Sequence, residues 1–444
     1  MIQMHNTPSL LFITDFYTEL QHQNISYCIL RKVNEVMQGN AHDIDMTVAD
    51  NRLSDAEKIL AKTANKLNWK LHLQIGNSKD KCNYKSYQYY QLNDYEQKIH
   101  IIHIDIIPTF TWQGYELLSN NAMLENIRPN GLFPIASPSV EAFCKLFSRL
   151  IFNKYVKSEY KRDIQETFQN EGQTILSLLR NFLTPETAQY IYTLACDGLW
   201  DDIENERKLI IANIRKIAKR SKFMYYLYIL RKAIKRKGLI IVFQGTDGSG
   251  KSTIIQGLTS VMGNSYSKST IDYNHWRPKF LHLGKKCVDA GMKSSTDQPH
   301  ASPPLGRLTS LAKMVFYTLD YLLGYVGRTY WQAARGHLII FDRYYYDFYI
   351  DKLRYRLSIN DAWIRFFQIF IPKPDITFLM VGDAQQIFER KKELPVAEVQ
   401  RQIDAILKHQ KLFTNPHIVD VSMPIPSVLY YVSREILSKL STRN

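Results

Sequence analysis

The sequence predicts an α/β protein in three parts. An α+β domain occupies residues 1–130, a helical connector 131–237, and a domain whose parallel sheet is covered by helices 238–444. Three observations carry this division. Strand-like apolar runs alternate with helical stretches at both ends of the chain, whereas the middle is helical throughout. The run Gly-Thr-Asp-Gly-Ser-Gly-Lys-Ser, Gly245 to Ser252, fits the G-x-x-x-x-G-K-[ST] phosphate-binding loop and lies between a strand and a helix. With 444 residues, 45% of them hydrophobic, the chain can bury two or three cores.

In the first part, helical periodicity covers 9–21 and 53–67, and strand-like runs cover 27–30, 44–48 and 101–107. His42-Asp43-Ile44-Asp45-Met46 sets two carboxylates two residues apart on a strand, hence on one face, where they can share a divalent metal. Ile102-His103-Ile104-Asp105-Ile106 offers a third carboxylate. The alternative is a chance D-x-D on a surface strand.

The connector opens at Ser137-Pro138-Ser139 with Glu141 in its first turn, a capped helix start. It closes on a basic stretch, residues 207–237, with Arg207, Lys208, Arg215, Lys216, Lys219, Arg220, Lys222, Arg231, Lys232, Lys235, Arg236 and Lys237 and no acid among them. This stretch supplies most of the net charge of +15 and contains the apolar, aromatic run 223–230. Two interpretations stand: a basic amphipathic helix lying on an anionic membrane surface or partner, or a connector whose apolar face packs on a neighbouring domain. No nucleic-acid module surrounds it, so nucleic acid is not an expected partner.

In the third part, the apolar run 239–243 feeds the loop, and Ile254, Ile255, Leu258, Val261 and Met262 recur after it at helical spacing. Backbone N–H groups of such a loop and the helix N-terminus face anionic phosphates, and glycines permit close approach. The expected ATP-binding set is Gly245, Thr246, Asp247, Gly248, Ser249, Gly250, Lys251, Ser252 and Thr253. Lys251 would reach the β and γ phosphates and Ser252 would bind Mg²⁺; the alternative is a glycine-rich turn before an ordinary helix. Strands over 269–273, 337–341, 376–381 and 417–421 alternate with helices over 307–334 and near 361–371, which implies a parallel sheet. Residues 285–306, rich in Lys, Ser, Pro and His, read as a loop able to close over substrate. The strand over 337–341 ends in Asp342-Arg343-Tyr344. A carboxylate at that strand end can hold the Mg²⁺ shell and the arginine can clamp a phosphate bidentately, unless the two form only a strand-end salt bridge.

The five cysteines (Cys28, Cys82, Cys144, Cys196 and Cys287) show no C-x-x-C spacing, which argues against a zinc site or disulfide framework and suits a reducing compartment. No basic segment followed by an apolar signal core opens the chain, and no run of about 18 apolar residues occurs. The expected location is cytoplasmic, with peripheral attachment to the inner membrane face through the basic stretch as an option.

Residues 238–421 resemble the thymidylate kinase family of nucleoside monophosphate kinases. Phe243-Gln-Gly-Thr-Asp-Gly-Ser-Gly-Lys-Ser-Thr253 is similar to the family's P-loop, Arg277-Pro278 to its Arg-Glu-Pro loop without the acid, and Asp342-Arg343-Tyr344 to its Asp-Arg-Tyr signature. Pro374-Asp375 with Glu389-Arg390-Lys391-Lys392 resembles the entry to its lid, and Val419-Asp420 its last strand near the nucleotide base. The resemblance implies an ATP- and Mg²⁺-using phosphotransferase. In it Asp247 faces the acceptor, Arg343 and Arg277 clamp it, Ser252 and Asp342 organise the metal, and Arg390 closes the lid; the 389–392 run also reads as a solvated helix end. Where the family carries an Asp-Arg pair whose arginine contacts thymine, this chain has Leu319-Asp320-Tyr321, and Asp347 replaces a small hydroxyl residue. Divergent thymidylate kinase-like proteins are associated with bacterial surface polysaccharide synthesis, which implies a small-molecule or glycan acceptor: a sugar, polyol or glycan hydroxyl or phosphate.

Residues 10–130 resemble the polymerase-β type of nucleotidyltransferase, in which the acids corresponding to Asp43, Asp45 and Asp105 hold two Mg²⁺ ions. The family's Gly-Ser or Gly-Gly before the acid pair is replaced by Leu30-Arg31. An arginine can still touch phosphate, but the tight backbone approach is lost. The helix from Ser137-Pro138 through Arg149, with Lys161-Arg162-Asp163, resembles the helical extension of such domains. The site therefore implies either nucleotidyl transfer or a binding or scaffold role. Two further functions remain open: a nucleotidyltransferase whose P-loop domain senses nucleotide, and an ATP-switched peripheral membrane or assembly scaffold. The oligomeric state is not legible.

Overall fold

The computed structural model describes residues 7–31, 35–36, 43–76, 85–234, 236–262, 271–281 and 303–443. His42, Cys82, Lys235, Ser269, Cys287 and most of the expected loop over 285–306 lie outside the described residues. The chain divides into two compact units, Met1–Gln91 with His100–Arg231 and Leu92–Ile99 with Lys232–Asn444. The helical stretch up to Arg231 thus falls in the same unit as the N-terminal sheet.

In the first unit, helix α1 (Pro8–His22) starts where the Thr7 hydroxyl accepts from the Leu10 amide, with proline in its first turn. The sheet that follows has the order β1-β2-β5-β4-β3. Its strands are β1 (Tyr27–Ile29), β2 (Asp43–Val48), β3 (Lys70–Ile75), β4 (Lys85–Asn93) and β5 (Lys98–Ile106), with α2 (Leu53–Lys66) between β2 and β3. β1 runs antiparallel to β2, and β2 parallel to β5. Phe12, Phe16 and Tyr17 of α1 and Ile59 and Leu60 of α2 share a core with Ile44, Met46, Ile102 and Ile104.

A short hairpin, β6 (Phe110–Trp112) and β7 (Tyr115–Leu118), leads into eight helices: α3 (Asn120–Leu124), α4 (Pro138–Asn153), α5 (Ser158–Asn170), α6 (Gly172–Arg180), α7 (Pro185–Cys196), α8 (Trp200–Asn205), α9 (Arg207–Ile217) and α10 (Lys222–Ile234). The Ser137 hydroxyl accepts from the Val140 amide at 3.4 Å, the cap expected from the Ser-Pro start. Phe143 and Phe147 of α4 pack edge to face on Phe182 and anchor the helical core.

In the second unit, five strands form an all-parallel sheet in the order β12-β11-β8-β10-β9. They are β8 (Leu239–Gly245), β9 (Ile271–His275), β10 (Leu338–Asp342), β11 (Ile376–Val381) and β12 (Pro416–Asp420). β8 and β10 are buried along their whole length, as apolar strands covered on both faces must be. The covering and connecting helices are α11 (Lys251–Met262), α12 (Arg307–Gly324), α13 (Tyr330–Ala334), α14 (Asp347–Ile350), α15 (Asp361–Gln368), α16 (Ala384–Arg390), α17 (Val396–His409) and α18 (Ile425–Ser441). The helix expected over 307–334 is interrupted by a wider π turn, Tyr325–Thr329. The loop after β9 presses on it there: a Cβ on Gly324 would meet Pro278 Cβ at 2.4 Å, and one on Gly327 the Phe280 ring at 2.8 Å. β8, the first strand of this sheet in chain order, lies centrally between β10 and β11, so its C-terminal end opens at the point where strand order reverses, the usual ligand position in such sheets. No helix among the described residues is long and apolar enough to cross a membrane.

Candidate active site at the P-loop

The loop from β8 into α11 brings its residues together as the motif requires. Gly248 and Gly250 have φ of +84° and +80°, a conformation glycine adopts without strain. A Cβ on Gly245 would lie 2.7 Å from Ser249 Oγ and 2.9 Å from the Met380 carbonyl oxygen, so this turn admits no larger residue. Lys251 is buried and folds back to donate to the carbonyl oxygens of Gly245 at 3.0 Å and Thr246 at 2.7 Å. Burial, reinforced by Arg343, pushes its ammonium down to about 8, against the pull of Asp342 and Asp247. Ser252 and Thr253 lie exposed on the first turn of α11.

Asp342 ends β10 opposite Phe243 of β8, so the expected metal-shell carboxylate stands one strand from the loop. One of its oxygens accepts from the Tyr273 hydroxyl at 3.1 Å; the other is buried with no hydrogen-bond partner. Arg343 follows with φ +71°, and Trp276, just past β9, has φ +67°. Such left-handed backbone costs on the order of 1–3 kcal/mol for a residue with a side chain and gathers at functional sites. It turns Arg343 back into the unit, where the guanidinium is 3% exposed. There it donates to both Asp347 oxygens, at 3.2 and 3.1 Å, and to Asp247. Asp247 also accepts from Arg354, itself 3.5 Å from Asp351. Burial pushes the Asp247 carboxyl up, but Arg343, Arg354 and Lys251 together hold it well below the ordinary carboxylate range. Asp347 is fully buried and accepts from Gln244 and from the Tyr355 hydroxyl as well.

Arg277 is buried between the Trp276 and Phe316 rings and donates to Asp320 at 2.8 Å. Asp320 also accepts from the amides of Lys279 and Leu281 and so fastens the loop after β9. Arg390, the expected lid cation, ends α16 and donates to the Val421 carbonyl oxygen at 3.0 Å. It borders a cavity of about 190 Å³ beside the P-loop, walled also by Gly250, Thr253, Ile254, Met380 and Val428.

In the first unit, the register of β2 on β5 sets Asp43 opposite His103 and Asp45 opposite Asp105. Asp43, His103 and Asp105 converge, each offering an atom within 4.8 Å of the others. His103 Nε2 lies 2.8 Å from Asp105 Oδ1 and its Nδ1 3.6 Å from Asp43 Oδ1. Burial pulls His103 down, but Asp105, Asp43 and Asp45 more than offset it and push its pKa up to about 9. Asp45 is not part of this group. It is buried against Arg31, which bonds it and also donates to Ser148 at 3.0 Å. Arg31 is therefore occupied by the chain's own carboxylate.

Arg354, Gln244, Tyr273 and Tyr355 were not singled out by sequence. Arg354 and Tyr355 lie beyond the signature in a stretch with no strand or helix pattern, and Tyr273 reads simply as a strand residue; only the fold brings them to Asp247, Asp342 and Asp347.

No protein-family model matches the chain, and no curated protein matches it. Among solved structures, thymidylate kinase from Ehrlichia chaffeensis is similar over 45% of this chain and 98% of its own, at 18% identity and a TM-score of 0.31. The second unit is a parallel α/β sheet whose central strand leads through a P-loop into α11.

Proposed function

We propose that the second unit transfers the γ-phosphoryl group of ATP to a hydroxyl or phosphate oxygen of a sugar, polyol or glycan. One observation carries this reading: a P-loop with a buried lysine faces, one strand away, a buried carboxylate with an unpartnered oxygen, beside the Asp247, Arg343 and Arg354 cluster. The residues fit a nucleotide with its metal. Gly250 leaves open space where a Cβ would stand, Thr246 Oγ and Asp342 Oδ1 are buried polar atoms without partners, and α11 presents its N-terminus. Ser252 and Asp342 would hold Mg²⁺, which when bound neutralises phosphate charge. The apolar cavity beside Arg390 suits the nucleoside end.

The acceptor oxygen forms a bond to the γ phosphorus as the bond to the β–γ bridging oxygen breaks, and ADP leaves. Because two arginines hold Asp247 as an anion, it is a poor base. It orients an acceptor hydroxyl by accepting its hydrogen bond, and after the new P–O bond has largely formed the proton passes to an oxygen of the transferred phosphoryl group and from there to solvent, as a loose transition state allows. Lys251 and Arg390 offer positive charge to the transferring oxygens. A non-thymidylate acceptor is supported by Asp320 and Arg277, which bind each other where the resemblance would require a base-reading arginine, and by Trp276, Tyr317 and Tyr355 packed beside them. The sugar, polyol or glycan class rests on the resemblance. The first unit, with Asp45 held by Arg31, takes a binding or scaffold role. Lys251→Ala tests the proposal: ATP turnover should be lost in a chain that still folds, and turnover retained in that folded variant would refute it.

A further inference from the structure

We propose that one face of α10 docks on an anionic phospholipid bilayer. The helix is fixed on its inner side: the Ser221 amide donates to the Gly114 carbonyl oxygen at 3.0 Å, and a Cβ on Gly114 would meet Tyr225 Cβ at 2.9 Å. Away from that contact, Phe223, Tyr226 and Leu230 follow the spacing of one helix face, and they are 75%, 60% and 56% exposed. Scattered exposed apolar residues need no explanation, but three in register on a solvent-facing stripe do.

The charge beside the stripe selects the occupant. Lys216, Lys219 and Lys222 are exposed, and no acid occurs anywhere in residues 207–237. Other cations of the stretch are engaged within the unit: Arg207 donates to the Leu150 and Ile151 carbonyl oxygens, and Arg215 and Arg220 lie over Trp112 and Tyr115. A second copy of the chain, related by a two-fold axis, would set the same lysines against each other. A polyanion such as RNA would take the lysines and leave Phe223 and Leu230 in water. An anionic bilayer answers both features, with the apolar stripe at the acyl boundary and the lysines among the headgroups. This inference is independent of the kinase proposal.

Vesicle flotation of the full chain tests it. The chain should float with vesicles containing one-third phosphatidylglycerol and not with phosphatidylcholine alone, and high salt should release it. Lys219→Gln and Lys222→Gln should each lower partitioning about fivefold, and the paired change Phe223→Ser with Leu230→Ser should reduce it to the neutral-vesicle level. Both pairs are exposed, so thermal melting should be unchanged. As a second readout, Tyr226→Trp should add fluorescence quenching by brominated acyl chains. Three results would overturn the proposal: no flotation with anionic vesicles, flotation unaffected by the apolar pair or without added quenching, or a wild-type dimer that the apolar pair converts to monomer. Equal binding to polyuridylate that survives the apolar pair would assign the face to a polyanion instead.

Discussion

Asp347→Ala would remove the carboxylate that holds Arg343 from beneath. Arg343 is 3% exposed and donates to both Asp347 oxygens, so the variant leaves a buried guanidinium with Asp247 alone. Breaking a buried charge pair from one side costs about 3–5 kcal/mol. Tyr355 and Gln244 also lose their acceptor, but these losses share one network and are not summed. Removing both charges, Arg343→Met with Asp347→Leu, should recover at least about 2 kcal/mol of that loss, because no unpaired charge then remains buried. Urea denaturation of the full chain, followed by tryptophan fluorescence and circular dichroism, reads the transition to which Trp276 contributes. As a control, Glu166→Ala, at an exposed pair with Arg162, should leave the midpoints unmoved. A cost below about 1 kcal/mol for Asp347→Ala, or a double variant no more stable than the single one, would refute this account of Arg343.

Lys251→Ala should weaken ATP binding and abolish turnover with the circular dichroism spectrum retained, read by titration calorimetry and coupled ADP release. Lys251 is pushed down to about 8 in the folded chain, below the ordinary lysine value, so the unfolded chain holds more protons between the two. Its charging penalty is therefore present below pH 8, and stability rises with pH across that window. By the same sign, nucleotide affinity should fall as pH rises through about 8, and binding at pH 9 should take up a proton, visible in buffers of different ionisation enthalpy. Lys251→Met should show neither effect. Arg354 is 23% exposed and bonds Asp247, so Arg354→Ala should slow phosphoryl transfer at least about tenfold while changing ATP affinity little. Asp43→Asn and Asp105→Asn should leave γ-phosphoryl transfer unchanged in initial-rate assays.

Much of the second unit is legible because β8, β10 and β11 are short, largely apolar and bounded by turns. The run over 376–381 coincides with β11, and the loop from Gly245 to Ser252 lies between β8 and α11, as its motif requires. β3 and β4 escaped because Lys70–Ile75 and Lys85–Asn93 mix lysine, glutamine and tyrosine; their tyrosines and even Lys85 are buried by partners that no local pattern reveals. The carboxylates were found by spacing, yet their partners were not. Arg31 meets Asp45 across 14 residues and Arg354 meets Asp247 across 107, distances at which sequence periodicity is silent. For the same reason Arg277, expected at the acceptor, could not be anticipated against Asp320, 43 residues away.

The central claim is that the P-loop unit moves the terminal phosphoryl group of ATP to a non-thymidylate acceptor. Incubation with γ- and α-labelled ATP against nucleoside monophosphates, sugars, polyols and polysaccharide precursors tests it directly. The account predicts γ label on a sugar, polyol or glycan acceptor, no α label on any acceptor, and no transfer in Lys251→Ala. Transfer of α label that Asp43→Asn abolishes and Lys251→Ala merely modulates would contradict it, as would preferred transfer of γ label to thymidylate.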